Sequence, residues 1–170
     1  LTLAIGDLAG AFTLDDVMTR LSAFADDALG RAIREAAKVR TGSHSPDGFF
    51  ALALGKHGAC ELNYSSDIDP ILLFDPDVLA SGERSTPPET AQRMARDIVR
   101  LLSDHTEEGY VFRVDLRLRP ASEITPLAVS INAAASHYES AALPWERAAF
   151  IRARSAAGDI ARGERFLASI

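Results

Sequence analysis

The sequence predicts an α/β fold, more narrowly α+β, in which a small mixed sheet is flanked by helices and helical segments lie at both ends of the chain. Three observations lead to this prediction. Long stretches near both ends repeat apolar residues at helical spacing. Two short apolar runs, Phe49–Leu54 and Ile71–Phe74, have the length of buried strands and are bounded by Gly, Pro and Asp. A third segment, Tyr110–Leu118, alternates apolar and polar residues as a half-buried strand does.

The helices are predicted from their periodicity and their caps. Thr13 and Asp16 form a capping-box pattern ahead of an apolar stripe that continues to Thr41, where Gly42 follows as a stop. The predicted helices are residues 13–41, 89–105, 131–140 and 144–154, the last with Gly158 as its stop.

The strands are predicted to carry polar groups at their ends. The first runs into Gly55, which lets a phosphate approach the backbone closely. The second is predicted to begin at Asp67, to include Asp69 and to continue to Phe74. Pro70 supplies no hydrogen-bond donor there, so we expect a distorted strand or a position that faces away from a neighbour.

The composition excludes several classes of protein. The 170 residues are 47% hydrophobic and carry a net charge of −6, so a protein that mainly holds a nucleic-acid backbone is not expected. No apolar stretch has the length of a membrane span, and the single cysteine, Cys60, forms no internal disulfide and belongs to no zinc motif. We therefore expect a cytoplasmic protein with no membrane or nucleic-acid partner, and Leu1 at the start suggests a piece of a longer polypeptide.

Acidic residues predict the chemistry of the site. In an extended strand Asp67 and Asp69 share one face while Ile68 points into the core. Adjacent carboxylates repel each other, and Mg²⁺ is a usual counter-ion because it prefers oxygen ligands. Asp115 offers a third carboxylate, which predicts a three-carboxylate metal site for phosphoryl chemistry.

Arginines accompany the third aspartate. Arg113, Arg117 and Arg119 alternate on the face of Asp115, and guanidinium groups suit phosphate oxygens. The sequence leaves simpler interpretations open: a solvated strand end for Asp67 and Asp69, and a surface ion-pair ladder for the arginines.

Three motifs together resemble one family. They are LGKHGACELNYSSDID at residues 54–69, YVFRVDLRLRP at 110–120 and WERAAFIRAR at 145–154. The chain resembles the glutamine synthetase adenylyltransferase family, whose members carry two nucleotidyltransferase domains of the DNA polymerase β-like type. It departs from the usual family pattern at His57, Ala59 and Pro70, and Ala121–Thr125 replaces the glycine-rich loop that normally follows the arginines.

This resemblance implies an organisation and a set of site residues. Residues 1–45 would be an N-terminal helical segment, 46–130 the nucleotidyltransferase catalytic core and 131–170 a C-terminal helical segment. The implied catalytic and metal-binding residues, for Mg²⁺ or Mn²⁺, are Asp67, Asp69 and Asp115, and the implied nucleotide- and phosphate-binding residues are Gly55, Lys56, Ser66, Arg117 and Arg119.

The resemblance also implies a reaction. Family members attach AMP to a tyrosine of glutamine synthetase in one domain and remove it in the other, and the removing half tends to carry arginine at the positions of Arg113 and Arg147. The chain therefore resembles the removing half, which uses orthophosphate and releases ADP. The alternatives are AMP attachment from ATP and a non-catalytic module that binds nucleotide or a partner protein. The implied partners are glutamine synthetase, the nucleotides ADP and ATP, orthophosphate and, through the full-length enzyme, the signal protein PII.

Overall fold

The computed structural model describes residues 2–82 and 85–170. Four strands form one sheet in the order β3-β2-β1-β4. The pairs β1–β2 and β1–β4 are antiparallel and β2–β3 is parallel, so the sheet is mixed. The elements in chain order are α1 (Thr2–Leu8), α2 (Leu14–Thr41), β1 (Phe49–Ala53), α3 (Gly55–Gly58), β2 (Pro70–Phe74), α4 (Pro87–Ser103), β3 (Ala128–Ser130), α5 (Ile131–Ser140), α6 (Pro144–Ala149), a 3₁₀ turn (Phe150–Arg152), β4 (Arg154–Gly158) and α7 (Ile160–Leu167).

This architecture confirms the predicted fold class. A small mixed sheet is flanked by helices, and helices begin and end the described chain. Among the described residues, no helix is both long enough and apolar enough to cross a membrane.

Both faces of the sheet are buried. The strands β1 and β2 pair residue for residue from Phe49↔Phe74 to Ala53↔Pro70, and every residue of both strands is buried. Alternate side chains enter two cores: Phe49 and Leu72 face the helices α2 and α4, whereas Phe50 and Leu73 face α5 and α7. Burial on both faces explains why these runs are continuously apolar instead of alternating.

The start and end of α2 lie where the sequence predicts them. The backbone N–H of Asp16 donates to Thr13 Oγ1 at 3.2 Å, and the Asp16 carboxylate accepts from the Thr13 N–H at 3.0 Å, which completes the capping box. Gly42 follows the helix in the left-handed conformation, and its N–H donates to the Lys38 carbonyl.

The prediction that the second strand begins at Asp67 is wrong. The strand β2 begins at Pro70, which pairs with Ala53 at the first position of the strand. A strand tolerates proline there because the missing N–H interrupts no continuous ladder. Asp67 and Asp69 therefore lie in the segment that leads into β2.

The prediction of a strand over Tyr110–Leu118 is also wrong. One bridge, Ile68↔Val114, is all the pairing that this segment forms within the described residues. The N–H groups of Val111 and Phe112 both donate to the Leu102 carbonyl at the end of α4, which turns the backbone away from a ladder.

The helix predicted over residues 144–154 is shorter in the structure. The helix α6 ends at Ala149, and the strand β4 occupies Arg154–Gly158, where the sequence predicts the end of a helix and its stop. The strand β4 satisfies the backbone groups of β1 that β2 does not reach, and a buried strand edge without such a partner is costly.

Gly158 gives a test of this strand. A Cβ at Gly158, whose φ is +84°, would lie 2.3 Å from the Phe49 carbonyl oxygen and 2.8 Å from Phe50 Cα. We expect Gly158→Ala to lower the free energy of unfolding by about 2–4 kcal/mol, through left-handed strain and overpacking together. Gly42→Ala is the matched control, because Gly42 has a φ of +78° and open space around it. It should cost only about 1 kcal/mol. Urea denaturation measures both, and equal losses would contradict the tight approach of β4 to β1.

Candidate active site

One backbone bridge brings the three aspartates together. The Ile68 N–H donates to the Arg113 carbonyl at 3.0 Å, and the Asp115 N–H donates to the Ile68 carbonyl at 2.9 Å. The Ile68 side chain is fully buried, which leaves Asp67 and Asp69 on either side of it in the more exposed part of the segment. The structure thus places Asp67, Asp69 and Asp115 at the same edge, next to the start of β2.

Asp69 experiences the charges of the other two aspartates. Partial burial raises the pKa of Asp69, and the carboxylates of Asp115 and Asp67 raise it further. Gly55 packs against the same group: a Cβ at Gly55 would lie 3.4 Å from Asp69 Oδ2. The end of β1 and the start of β2 therefore meet at the carboxyl group whose pKa the other two aspartates raise.

Arg113 neutralises Asp67. Its Nε donates to Asp67 Oδ1 at 2.5 Å, and its two Nη atoms donate to the Tyr110 hydroxyl at 3.0 Å and the Ser65 carbonyl at 2.6 Å. Both side chains of the pair are about half exposed, so the pair is open to exchange with a ligand or an ion from solvent.

Arg117 neutralises Asp115. Its Nε and Nη2 donate to Asp115 Oδ2 at 2.8 and 2.5 Å, and its backbone N–H donates to Oδ1 at 2.9 Å. These hydrogen bonds hold the pKa of Asp115 below its ordinary value. The Arg117 side chain is 85% exposed, so its guanidinium group faces solvent although it is paired with Asp115.

Arg119 lies apart from this cluster. Its guanidinium donates to backbone carbonyls of its own loop instead of to the aspartates: Leu116 at 2.7 Å, Ser122 at 2.5 Å and Pro126 at 3.1 Å. These bonds organise the loop between the Ile68–Val114 bridge and β3. They leave the predicted phosphate-binding role of Arg119 without a direct link to the carboxylates.

The remaining predicted residues lie in two short turns. Gly55 and Lys56 begin α3 directly after β1, and both are exposed. Ser66 belongs to the turn that precedes the aspartates, where its hydroxyl donates to Asn63 Oδ1 at 3.0 Å and accepts from the Asn63 N–H at 3.1 Å. Gly55 lies against Asp69, and Ser66 directly precedes Asp67 in the chain.

A partly buried polar network beside the site was not predicted from the sequence. His57, Asp26 and Arg154 are hydrogen-bonded to one another, although they lie on three different elements. No local pattern connects them, since His57 is 31 positions from Asp26 and 97 from Arg154. The only sequence signal for this network is weak: Asp26 is a charged residue next to the apolar stripe of α2.

The three carboxylates fit a divalent ion by their chemistry, since Mg²⁺ prefers carboxylate oxygens. Their present arrangement is paired with arginine: within residues 2–82 and 85–170, no group of three or more His, Cys, Asp or Glu side chains is placed to hold a metal ion. Arg113 and Arg117 occupy oxygens of Asp67 and Asp115. A metal ion that used these oxygens would therefore compete with the two arginines.

A mixed sheet flanked by helices, with three aspartates at one edge, is consistent with a nucleotidyltransferase-like fold. The sequence profile of the family described as glutamate-ammonia ligase adenylyltransferase matches residues 1–169. The chain belongs to this family, which is a family of transferases.

Curated relatives agree with this assignment. A bifunctional glutamine synthetase adenylyltransferase/adenylyl-removing enzyme of Caulobacter vibrioides is 46% identical over 175 residues, and enzymes with the same name from Rhizobium meliloti and Bradyrhizobium sp. strain BTAi1 are 45% and 42% identical. The matches cover 96%, 96% and 100% of this chain. The chain spans 18% of the length of each relative.

The crowding of the aspartates predicts a gain in stability when one charge is removed. We expect Asp69→Asn to raise the free energy of unfolding at pH 7 in a chelator, by about 0.5–1 kcal/mol, because the carboxyl is half buried and solvent screens the repulsion. The raised pKa makes the ionised form unfavourable in the folded state. The gain is therefore present above that pKa and disappears as the pH falls through it toward 3.8.

Asp16→Asn is the matched control for this substitution. A hydrogen bond from the Thr13 hydroxyl, followed by one from its N–H, lowers the pKa of Asp16, so loss of this carboxylate should destabilise the protein. Urea denaturation across pH distinguishes the two signs. A loss of stability in both variants would contradict repulsion within the aspartate cluster.

Proposed function

We propose that this chain is the nucleotidyltransferase domain that removes AMP from the adenylylated tyrosine of glutamine synthetase. In this reaction orthophosphate attacks the phosphorus of the AMP–tyrosine linkage, the tyrosine phenolate leaves, and ADP forms. The observation that carries the proposal is the convergence of Asp67, Asp69 and Asp115 at the Ile68–Val114 bridge, in a chain of this family.

The aspartates are the proposed ligands of the divalent ions. When bound by Asp67, Asp69 and Asp115, two Mg²⁺ or Mn²⁺ ions would supply positive charge for the attacking and leaving oxygens of an in-line displacement. Gly55, Lys56 and Ser66 are the proposed contacts of the phosphate oxygens. Their turns lie beside Asp69 and Asp67, so a nucleotide phosphate held there faces the carboxylates.

The arginines support the removing direction. Attachment of AMP starts from a neutral tyrosine phenol, which needs a base, whereas orthophosphate is already an anion. Arg113 and Arg117 add two positive charges in front of the aspartates, and these favour an anionic nucleophile.

The proposed role of these arginines is to exchange partners. In the structure they neutralise Asp67 and Asp115, which otherwise would repel each other and Asp69. When a cation and a phosphate enter together, the carboxylates can bind the cation while the guanidinium groups turn to the phosphate oxygens. Both pairs are exposed enough for such an exchange to be inexpensive.

The reaction is tested with adenylylated glutamine synthetase, Mg²⁺ and orthophosphate, and ADP is measured by chromatography. We expect Asp67→Asn and Asp69→Asn to reduce ADP formation by roughly a thousandfold, because both remove charge that acts on the transition state. Asp27→Asn is the control, since Asp27 pairs with Arg31 on the exposed side of α2. AMP transfer from ATP to unmodified glutamine synthetase, without ADP formation, would reverse the proposed direction. Nucleotide binding without either reaction would show a non-catalytic module.

Partner exchange gives a separate prediction. We expect Arg117→Gln to tighten Mn²⁺ binding to the intact protein by roughly threefold to fivefold, because an exposed ion pair that competes with the metal is removed. Electron paramagnetic resonance of free Mn²⁺ measures the affinity. Arg31→Gln changes the net charge equally and removes a 2.8 Å pair with Asp27 that includes none of the three aspartates, so it should leave the affinity unchanged. Unchanged or weaker binding in Arg117→Gln would refute the exchange.

A further inference from the structure

A partly buried polar triangle, formed by His57, Asp26 and Arg154, lies at α3, next to Gly55 of the proposed active site. His57 is fully buried, and its Nε2 lies 2.8 Å from Asp26 Oδ1. Arg154 donates through Nη2 to Asp26 Oδ1 at 2.9 Å, and its Nη1 lies 2.9 Å from Asp26 Oδ2 in the same ion pair. The proposed reaction makes no direct use of any of these three residues.

The triangle joins three elements at α3. Asp26 belongs to α2, His57 to α3 and Arg154 to β4. Arg154 Nη2 also lies 3.2 Å from the backbone carbonyl oxygen of His57 and donates to it. The short helix α3 is thus held twice, once through the imidazole ring and once through its own backbone.

The Asp26 carboxylate is the acceptor of this network. Burial alone would raise the pKa of Asp26, but hydrogen bonds from His57 and Arg154 lower it below its ordinary value. His57 therefore donates to Asp26 through Nε2, whereas Nδ1 is buried and has no hydrogen-bond partner among the described residues.

The short helix α3 has little room to move. A Cβ at Gly58 would lie 2.2 Å from the Arg152 carbonyl oxygen and 2.6 Å from that of Ala53. At the other end of α3, a Cβ at Gly55 would lie 3.4 Å from Asp69 Oδ2. A displacement of α3 would therefore change the space between Gly55 and Asp69.

We propose that His57 is a positioning residue that, with Asp26 and Arg154, fixes α3 against Asp69 for the binding of nucleotide phosphates. This role rests on the proposed function, because it concerns the same nucleotide site. His57 itself touches no substrate. It acts by holding the backbone of Gly55 and Lys56 at one distance from the carboxylates.

The test compares an apolar and a conservative substitution in the intact protein. His57→Leu removes the donor to Asp26, whereas His57→Gln places an amide N–H where Nε2 stands. Hydrogen exchange of the amides in residues 55–60 reports the position of α3 without any ligand, and calorimetry with ADP reports its effect on binding. We expect His57→Leu to increase exchange and weaken ADP binding, each by about tenfold, the scale of one lost buried hydrogen bond. His57→Gln should restore both to within about threefold of the wild type.

Arg40→Gln is the structural control. Arg40 donates to both oxygens of Asp97, at 2.6 and 2.9 Å, and so links α2 to α4 at a place remote from α3. It should lower the melting temperature without changing exchange in residues 55–60 or ADP binding. If His57→Leu lowers only the melting temperature, as Arg40→Gln does, His57 has no positioning role.

The failure of the proposed function would be visible separately. If the wild type binds ADP but forms none from adenylylated glutamine synthetase, the proposed reaction is wrong while the comparison of His57 variants stands. If the wild type binds no ADP, the phosphate-binding role of α3 is overturned together with the proposed function. Failure of His57→Gln to restore ADP binding, with full activity in the wild type, would overturn the positioning role alone.

Discussion

Two backbone hydrogen bonds, from Ile68 to Arg113 and from Asp115 to Ile68, hold the aspartate cluster together. They join the segment around Val114, which has no regular structure, to the residues that lead into β2. The buried side chain of Ile68 fixes these residues in the core. Both bonds are formed by the backbone of Ile68, one by its N–H and one by its carbonyl. They therefore determine that the Ile68 side chain points inward and that its neighbours remain at the edge. The position of Asp115 relative to Asp67 and Asp69 depends on this bridge, since no long ladder supports it.

Charge balance is the second constraint on the site. Three carboxylates at one edge repel each other, and this is visible in the raised pKa of Asp69. Two exposed arginines relieve the repulsion at Asp67 and Asp115, and none of the described hydrogen bonds relieves it at Asp69. The result is a site that is stable enough to fold and still has weakly held counter-ions. In the proposed reaction, a metal ion and a phosphate would replace these counter-ions.

Strong local signals allowed most of the fold to be predicted from the sequence. The capping residues Thr13 and Asp16 define the start of α2, and the apolar run from Phe49 identifies β1. Weaker signals failed where tertiary contacts decide the outcome. The alternation around Val114 is typical of a strand, but the carbonyl of Leu102 binds the neighbouring N–H groups, so a ladder does not form. The small residues of β4 have little strand preference, and they form a strand because β1 offers a free edge.

The sequence motif predicted the three aspartates of the site, and the structure brings them together. The motif could not predict which arginines neutralise them. Which arginine pairs with which carboxylate depends on the path of the chain after Val114. The same limit applies to His57, whose partners Asp26 and Arg154 are distant in sequence. Buried polar networks of this kind follow from topology, and a single sequence carries no periodic trace of them.

The pairing of β1 with β4 also has a consequence for the order of folding. Ala53 pairs with Pro70 on one side and with Arg154 on the other, so the central strand of the sheet acquires its second neighbour from a part of the chain that is translated much later. Contacts of such high sequence separation form slowly, because a long loop must close first. On the ribosome, the hairpin of β1 and β2 can assemble while one edge of β1 remains open to other strands. The sheet would then be completed only after Gly158 has emerged, which makes the nascent domain vulnerable to mispairing and dependent on its last strand for closure.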